Sequence, residues 1–126
     1  MLLVEYPNCT TCKKAKKFLM EHNIAFEDRN IKEENPTAEE LAKWQSQSNK
    51  EVKAFFNTSG QVYRSNNIKD RLPTMTDQEK FELLATDGML VKRPILILPD
   101  AVLVGFKEAE WIEALQRTAC EPTSNG

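Results

Sequence analysis

The feature that most constrains the fold of this chain is a Cys-x-x-Cys pair set between an apolar run and an amphipathic segment. The run Leu2–Tyr6 has the length and composition of a buried strand, and a Pro-Asn turn ends it. From Cys9 to His22 the apolar residues recur at helical spacing, and Ile24–Ile31 predicts a second strand. A strand, a helix and a strand in this order favour a parallel pairing in an α/β domain.

The middle of the chain is predicted to be a helical insert, at about residues 36–88. Thr37 with Glu40, and Thr76 with Glu79, have the form of a capping box. In such a box a hydroxyl and a carboxylate satisfy backbone N–H groups at a helix start. We therefore expect a helix to begin after each of these threonines.

Gly88 is predicted to end the last helix of the insert, because glycine readily adopts the conformation that follows a helix C-terminus. Two apolar runs, Pro94–Leu98 and Ala101–Phe106, lie close enough to form a hairpin, and Lys107–Thr118 predicts a closing helix. The full order is β-α-β, a helical insert, then β-β-α. This order predicts a single domain over residues 1–118 with a thioredoxin-like α/β core.

Composition and charge argue against several classes of partner. The chain has 126 residues, a net charge of -2 and a sequence pI near 5.5, so bulk charge does not favour nucleic acid. No apolar run approaches the ~20 residues that span a bilayer, and the first residues do not resemble a signal peptide. We expect a cytoplasmic protein with no direct nucleic-acid or membrane partner, ending in a flexible tail at residues 119–126.

The cysteine pair indicates redox chemistry, because close cysteines in the cytosol are more often catalytic or metal-binding than structural. Cys9 lies where the helix begins, and the free N–H groups and partial positive charge there favour a thiolate. We expect Cys9 to be the exposed nucleophile and Cys12 to be the resolving cysteine that closes a disulfide with it. Lys13 is a candidate for stabilising the thiolate, whereas the other three lysines of this segment are expected on a solvated helix face. These three are Lys14, Lys16 and Lys17.

Two other interpretations of the pair are possible. Zinc would need four ligands, and the chain offers only His22, at the far end of the same helix, and Cys120, near the C-terminus. We therefore predict no metal site. In the other interpretation both cysteines are inert and pack as small apolar side chains.

The segment Lys92-Arg93-Pro94 leads into the third predicted strand. A cis bond before Pro94 would present backbone groups to a substrate and bring Arg93 near Cys9. There the guanidinium could bind an anion or stabilise the thiolate. The alternative is a trans proline that begins a strand beside a surface arginine, and these residues alone do not distinguish the two.

Four segments together resemble the arsenate reductase (ArsC) and Spx superfamily: YPNCTTCKKAKKFL, FEDRNI, LVKRPILI, and VGF before the last helix. Their order and spacing match over residues 2 to about 117. The resemblance implies a thioredoxin-like core with an inserted helical subdomain and a cis proline at Pro94. It also implies one of two activities. One branch reduces arsenate with a catalytic cysteine, glutathione and glutaredoxin. The other, Spx, binds the C-terminal domain of the RNA polymerase α subunit and senses disulfide stress through a Cys-x-x-Cys.

The resemblance assigns roles to individual residues. Cys9 matches the arsenate reductase nucleophile and also the first Spx cysteine. Cys12 matches the second Spx cysteine, where typical glutaredoxin-linked reductases have a serine. Arg93 matches the arginine before the family proline. Arsenate reductases hold the oxyanion with further arginines, and this chain has Ser59 and Phe106 at those positions.

Arg64, which follows Ser59 closely, is a candidate substitute for one of the replaced arginines. Arsenate binds best to several bidentate donors, so the replacements argue against arsenate as the substrate. The segments NTSG and VGFKE are closest to the reductase-like relatives of Spx. The tail EPTSNG also lacks the basic residues that Spx carries there.

These observations lead to three functional hypotheses. The favoured one is a thiol-disulfide oxidoreductase of the arsenate reductase type, with Cys9 attacking and Cys12 resolving. It would bind no cofactor and would use glutathione, glutaredoxin or thioredoxin as its redox partner. The alternative is an Spx-like redox-sensing regulator that binds the RNA polymerase α subunit. In the third, the thiols are vestigial and have ordinary pKa values. None of the three assigns a role to Cys120.

Overall fold

A computed structural model describes residues 1–120, with side-chain surroundings as far as Arg117. Four strands form one sheet in the order β2-β1-β3-β4. Their bounds are β1 Leu2–Glu5, β2 Glu27–Asn30, β3 Ile95–Ile97 and β4 Val102–Val104. β1 and β2 are parallel, whereas β1–β3 and β3–β4 are antiparallel. The sheet is therefore mixed, and the α/β class predicted from the sequence is confirmed.

Six α-helices accompany the sheet within the described residues. They are α1 Thr10–Glu21, α2 Ala38–Ser48, α3 Gln61–Ser65, α4 Ile68–Arg71, α5 Asp77–Leu84 and α6 Glu108–Cys120. α1 joins β1 to β2, α6 follows β4, and the other four lie between β2 and β3, where the helical insert is predicted. Residues 119–120 of the predicted flexible tail belong to α6 instead, and its remaining residues, 121–126, lie outside the described residues. In the part of the chain that is described, no helix is long and apolar enough to cross a membrane.

Both predicted capping boxes are confirmed. The Thr37 hydroxyl accepts the Glu40 N–H at 3.1 Å, and the Glu40 carboxylate accepts the Thr37 N–H at 3.0 Å. Thr76 and Glu79 make the same pair of bonds at 3.1 and 2.8 Å. Each box satisfies two backbone donors that a helix start otherwise leaves without a partner.

The prediction for Gly88 is wrong. α5 ends at Leu84, and Gly88 begins a short 3₁₀ turn instead of following a helix end directly. A Cβ atom at this position would lie 2.5 Å from the carbonyl oxygen of Ile31, which follows β2. Glycine is therefore needed because the insert approaches the backbone after β2 too closely for any side chain.

Side chains of β1 alternate between the two faces of the sheet, and both faces are covered. Val4 packs on the helical insert, whereas Leu3 packs on α1 and α6. On the α1–α6 side, Trp111 is fully buried and its Nε1–H donates to the carbonyl oxygen of Gly105 at 3.0 Å. These contacts hold α1 against the sheet and so set the position of its first turn.

Candidate functional site

Cys9 and Cys12 occupy the first turn of α1. Cys9 is the N-cap residue, with extended backbone (φ -89°, ψ 123°) and no capping bond from its side chain. Its N–H donates to the carbonyl oxygen of Tyr6 at 3.0 Å, and its own carbonyl oxygen accepts the N–H of Lys13 at 3.0 Å. Both thiols are free, Cys9 is partly exposed and Cys12 is fully buried. The outer sulfur is therefore accessible to a substrate and the inner one is not.

The environment of the Cys9 thiol favours its ionised form. Burial by itself raises the pKa of Cys9, but hydrogen bonds from Cys12 and the neighbouring Arg93 guanidinium outweigh that effect. The pKa of the Cys9 thiol consequently lies below its ordinary value of 9.0. A lower pKa increases the thiolate fraction at neutral pH, and the thiolate is the nucleophilic form.

The environment of Cys12 has the opposite effect. Burial raises the pKa of Cys12 to about 12, against a smaller lowering by the backbone N–H of Tyr6. That N–H donates to the Cys12 sulfur at 3.5 Å, while the negative charges of Cys9 and Glu5 raise the pKa further. Cys12 is therefore a neutral thiol at neutral pH, and it stabilises the Cys9 thiolate by donating a hydrogen bond to it.

Arg93 reaches the cysteine pair from the turn before β3. The Arg93–Pro94 peptide bond is cis, as the resemblance implies. The guanidinium carbon lies 5.6 Å from the centre of the Tyr6 ring, and Nη1 donates to the carbonyl oxygen of Val91 at 3.4 Å. The same guanidinium acts on Cys9 by charge and by a hydrogen bond. Arg93 thus lies beside the Cys9 thiol and is not an isolated surface arginine.

No described contact joins the side chain of Lys13 or of Arg64 to the Cys9 thiol. Lys13 lines a surface groove along α1, and the cation that lowers the pKa of Cys9 is Arg93. Arg64 lies on α3 and lines a separate cavity with Tyr63 and other residues of the insert. None of the described contacts joins Arg64 to Cys9.

Ser59 and Phe106, which the resemblance aligns with further arginines of arsenate reductases, make other contacts in this structure. The Ser59 hydroxyl donates to the side-chain oxygen of Asn57 at 3.2 Å, within its own loop. The ring of Phe106 packs edge-on against Trp111 at 4.8 Å and Phe18 at 5.6 Å between ring centres. Phe106 therefore belongs to the apolar contact between α1 and α6.

A charged cluster beside the cysteine pair was not predicted from the sequence. Glu5, the last residue of β1, is only 2% exposed. Lys16 Nζ lies 3.6 Å from its Oε2 and 2.7 Å from Oδ2 of Asp28, on β2. The prediction that Lys16 belongs to a solvated face is therefore wrong. A signal was present, because Lys16 follows Cys12 by one helical turn and so lies on the same face of α1.

The other potential metal ligands do not lie with the pair. The Nδ1 atom of His22, at the far end of α1, lies 2.8 Å from the carbonyl oxygen of Phe18, which accepts a hydrogen bond from it. The side chain of Cys120 lies outside the part of the chain whose side chains are described. Among the side chains that are described, no three His, Cys, Asp or Glu residues are grouped so that they could hold a metal ion.

The sheet order, the helical insert and the position of the Cys-x-x-Cys define a thiol redox fold of the thioredoxin-like class. The chain belongs to the ArsC family, whose family model matches residues 4–114. The resemblance inferred from the four sequence segments is therefore confirmed.

Relatives of the chain include both regulators and proteins of unassigned role. The uncharacterized protein YusI of Bacillus subtilis is 47% identical over 108 residues, which are 86% of this chain and 92% of YusI. The global transcriptional regulator Spx of Enterococcus faecalis is 34% identical over 111 residues, 87% of this chain and 82% of Spx. The crystal structure of an ArsC family related protein from Bacteroides fragilis is 52% identical and superposes with a TM-score of 0.86. The superposition covers 89% of this chain and 94% of the Bacteroides fragilis protein.

Proposed function

We propose that this protein is a thiol-disulfide oxidoreductase of the arsenate reductase type, with Cys9 as nucleophile and Cys12 as resolving cysteine. The observation that carries the proposal is the opposite direction of the two pKa shifts. The pKa of Cys9 lies below its ordinary value, and that of Cys12 is raised to about 12. A thiolate at the accessible sulfur can attack, while the buried thiol stays protonated until a mixed disulfide has formed.

The proposed reaction has two exchange steps. The Cys9 thiolate attacks one sulfur of a substrate disulfide, the substrate S–S bond breaks, and the released half leaves as a thiolate with the bonding electron pair. Cys12 then loses its proton and attacks the Cys9 sulfur, which releases the second half. The substrate is reduced to two thiols, and the protein is oxidised by two electrons to the Cys9–Cys12 disulfide. The dithiol of thioredoxin then reduces the Cys9–Cys12 disulfide, takes up the disulfide bond itself and returns the pair to the dithiol; glutathione or glutaredoxin can do so only for a substrate other than glutathione disulfide.

Arg93 and its surroundings set the substrate class in this proposal. A single guanidinium at Cys9, with Ser59 and Phe106 engaged elsewhere, suits one carboxylate better than an arsenate dianion that needs several donors. We therefore propose a thiol disulfide that carries carboxylates, such as glutathione disulfide, with Pro94 and Lys13 as further substrate contacts. The reaction is placed in the cytosol, where glutathione keeps such partners reduced.

The test is reduction of glutathione disulfide by the full chain and by three single variants, with reduced thioredoxin as the electron donor. Cys9→Ser should abolish turnover. Cys12→Ser should stop after one step with a trapped mixed disulfide that mass spectrometry detects. Cys120→Ser is the matched control and should keep the wild-type rate. Full activity in Cys9→Ser would refute the proposal.

The second candidate function is redox-sensing regulation of transcription. Its support is the 34% identity to Enterococcus faecalis Spx over 111 residues, together with the Cys-x-x-Cys. This function requires a direct complex with the C-terminal domain of the RNA polymerase α subunit, with an affinity that differs between the dithiol and disulfide forms. Calorimetric titration of both forms tests it, and absence of binding in both would exclude it.

A further inference from the structure

Four lysines from separate parts of the chain surround one open cavity of about 410 Å³ that reaches the end of β4. They are Lys50, Lys53, Lys92 and Lys107, and we call this group the lysine patch. All four side chains are exposed, and one carboxylate, that of Glu51, lines the same cavity. The chain as a whole has a net charge of -2, so its bulk composition does not account for the patch.

Backbone contacts hold the segments of the lysine patch together. The Lys92 N–H donates to the carbonyl oxygen of Phe55 at 2.8 Å, which joins the turn before β3 to the segment that carries the first two lysines. The Gly105 N–H donates to the carbonyl oxygen of Pro94 at 2.8 Å. Gly105 has a φ of 75°, and a Cβ atom there would lie 3.2 Å from Cε of Lys92. The glycine therefore leaves room for the Lys92 stem beside the end of β4.

The positive charges of the lysine patch are poorly neutralised by the chain itself. Among the side chains that the structure describes, no carboxylate oxygen lies within 4.0 Å of Nζ in Lys50, Lys53 or Lys92. Lys107 reaches Glu110 at 3.8 Å, but this lysine is 69% exposed, and such a pair contributes little in water. Because gathered like charges repel one another, a negatively charged partner stabilises this surface.

The form of the lysine patch favours a protein over a small anion. Sites for small molecules enclose the ligand and fix it with a few precisely placed polar groups. Here the ammonium groups lie on exposed, flexible stems around an open cavity, where they can steer an oppositely charged protein and adapt to its surface. Lys92 directly precedes Arg93, whose guanidinium acts on the Cys9 thiol. A protein bound to the patch therefore borders the cysteine pair.

We infer that the lysine patch is the docking surface for an acidic protein that carries a dithiol and reduces the Cys9–Cys12 disulfide, an inference that rests on the proposed function. One partner thiolate attacks the Cys9 sulfur, the S–S bond breaks, and Cys12 leaves with the bonding electron pair. The second partner thiolate then attacks the partner's own sulfur in the mixed disulfide and releases Cys9. Two electrons and two protons pass from the partner's thiols to the cysteine pair, and the partner ends as a disulfide.

The test compares a protein reductant with a small one on the oxidised chain, in a Cys120→Ser background. The protein probe is reduced thioredoxin of net negative charge, and the small probe is dithiothreitol, which is uncharged and needs no docking surface. Lys50→Glu combined with Lys53→Glu should lower the second-order rate constant for thioredoxin by about tenfold at low ionic strength and leave the rate with dithiothreitol unchanged. Lys32→Glu combined with Lys43→Glu is the matched control. These two exposed lysines do not line the cavity, and their reversal changes the net charge equally, so both rates should match wild type.

Salt and a small anion complete the test. The wild-type rate with thioredoxin should fall as sodium chloride rises from about 0.02 M to about 0.3 M, and the patch variant should lose most of this dependence. The inference would be overturned by equal slowing in both double variants, by a wild-type rate in the patch variant, by equal slowing with dithiothreitol, or by no reaction of wild type with thioredoxin. Micromolar binding of pyrophosphate to the patch, with no effect of the charge reversals on thioredoxin, would also overturn it and identify a small-anion site. A chain in which Cys9 and Cys12 form no disulfide would instead refute the proposed function.

Discussion

The guanidinium carbon of Arg93 lies 5.6 Å from the centre of the Tyr6 ring, and the same cation acts on the Cys9 thiol. Tyr6 also binds the Cys12 sulfur through its backbone N–H. The residues after β1 and before β3 therefore enclose the cysteine pair from two sides. They meet because β1 and β3 are adjacent antiparallel strands, so the end of one lies beside the start of the other.

Replacing Arg93 should raise the pKa of the Cys9 thiol. Arg93→Met removes the cation and the hydrogen bond that favour the thiolate, whereas Arg93→Lys keeps the charge and should have a smaller effect. The measurement is the pH dependence of iodoacetamide alkylation in a Cys120→Ser background. Arg64→Met is the control and should follow the wild-type curve. Identical curves for Arg93→Met and wild type would show that Arg93 does not stabilise the thiolate.

The buried Glu5 should make the protein less stable as the pH rises through neutrality. Its pKa is raised from 4.5 to about 7 in the folded protein, so the folded state holds this proton more tightly than the unfolded state does. The stabilisation is complete below the unfolded pKa and is lost as the pH rises through the folded pKa. We expect a loss of about 1–3 kcal/mol in the free energy of unfolding between roughly pH 5 and pH 8.

Urea titrations at several pH values measure this loss. Glu5→Gln cannot ionise at this position, so its free energy of unfolding should lack the decline. Glu27→Gln, at the exposed start of β2, is the control, and its free energy of unfolding should still decline with pH as in the wild type. A wild-type stability that is constant over this range would contradict the assigned protonation of Glu5.

Truncating Trp111 should destabilise the contact between α1 and α6. Its indole is fully buried, and its Nε1–H donates to Gly105 at 3.0 Å. Trp111→Ala should cost about 3–5 kcal/mol in urea unfolding, as expected for loss of a buried aromatic side chain. Ile112→Ala, on the same helix and 36% exposed, is the control and should cost well under half as much. Equal losses would mean that the α1–α6 contact contributes little to stability.

Adding one methyl group at Gly88 should be more harmful than adding it at Gly60. A Cβ at Gly88 meets the backbone oxygen of Ile31 at 2.5 Å, which cannot move without shifting the chain after β2. At Gly60 the closest atom is the side-chain nitrogen of Asn57 at 2.7 Å, which can rotate away. We expect Gly88→Ala to cost about 1–3 kcal/mol and Gly60→Ala less, measured by thermal and urea unfolding. A larger loss of stability in Gly60→Ala than in Gly88→Ala would show that the backbone after β2 can shift to make room for the methyl group.

Features with a local cause were predicted correctly from the sequence. The two capping boxes depend only on residues three positions apart, and helix α1 depends on a short apolar period. The placement of the Cys-x-x-Cys at the start of α1 followed from the same local pattern. The prediction for Gly88 is wrong because glycine can either end a helix or allow two backbone segments to approach closely. The sequence does not distinguish these, since the approach of Gly88 to Ile31 depends on a distant part of the chain.

The charged cluster shows what local patterns do not contain. Lys16 was assigned to solvent because a run of lysines usually covers an exposed helix face. Its partners Glu5 and Asp28 lie on two different strands, which become neighbours only through parallel pairing of β1 and β2. The burial of Glu5 likewise results from packing on both sides of β1, which an apolar run that contains one glutamate does not predict.

The amino-acid sequence by itself determined the order of strands and helices, the helix starts and the family, because each depends on short-range periodicity, capping or a contiguous motif. Only the tertiary structure decided which charges surround the two sulfurs. Hydrogen bonds from Cys12 and the Arg93 guanidinium lower the pKa of Cys9. Burial raises the pKa of Cys12, with a smaller contribution from the charge of Glu5. The sheet brings these residues together although Arg93 is far from the others in the chain. Burial then removes the water that would otherwise screen them.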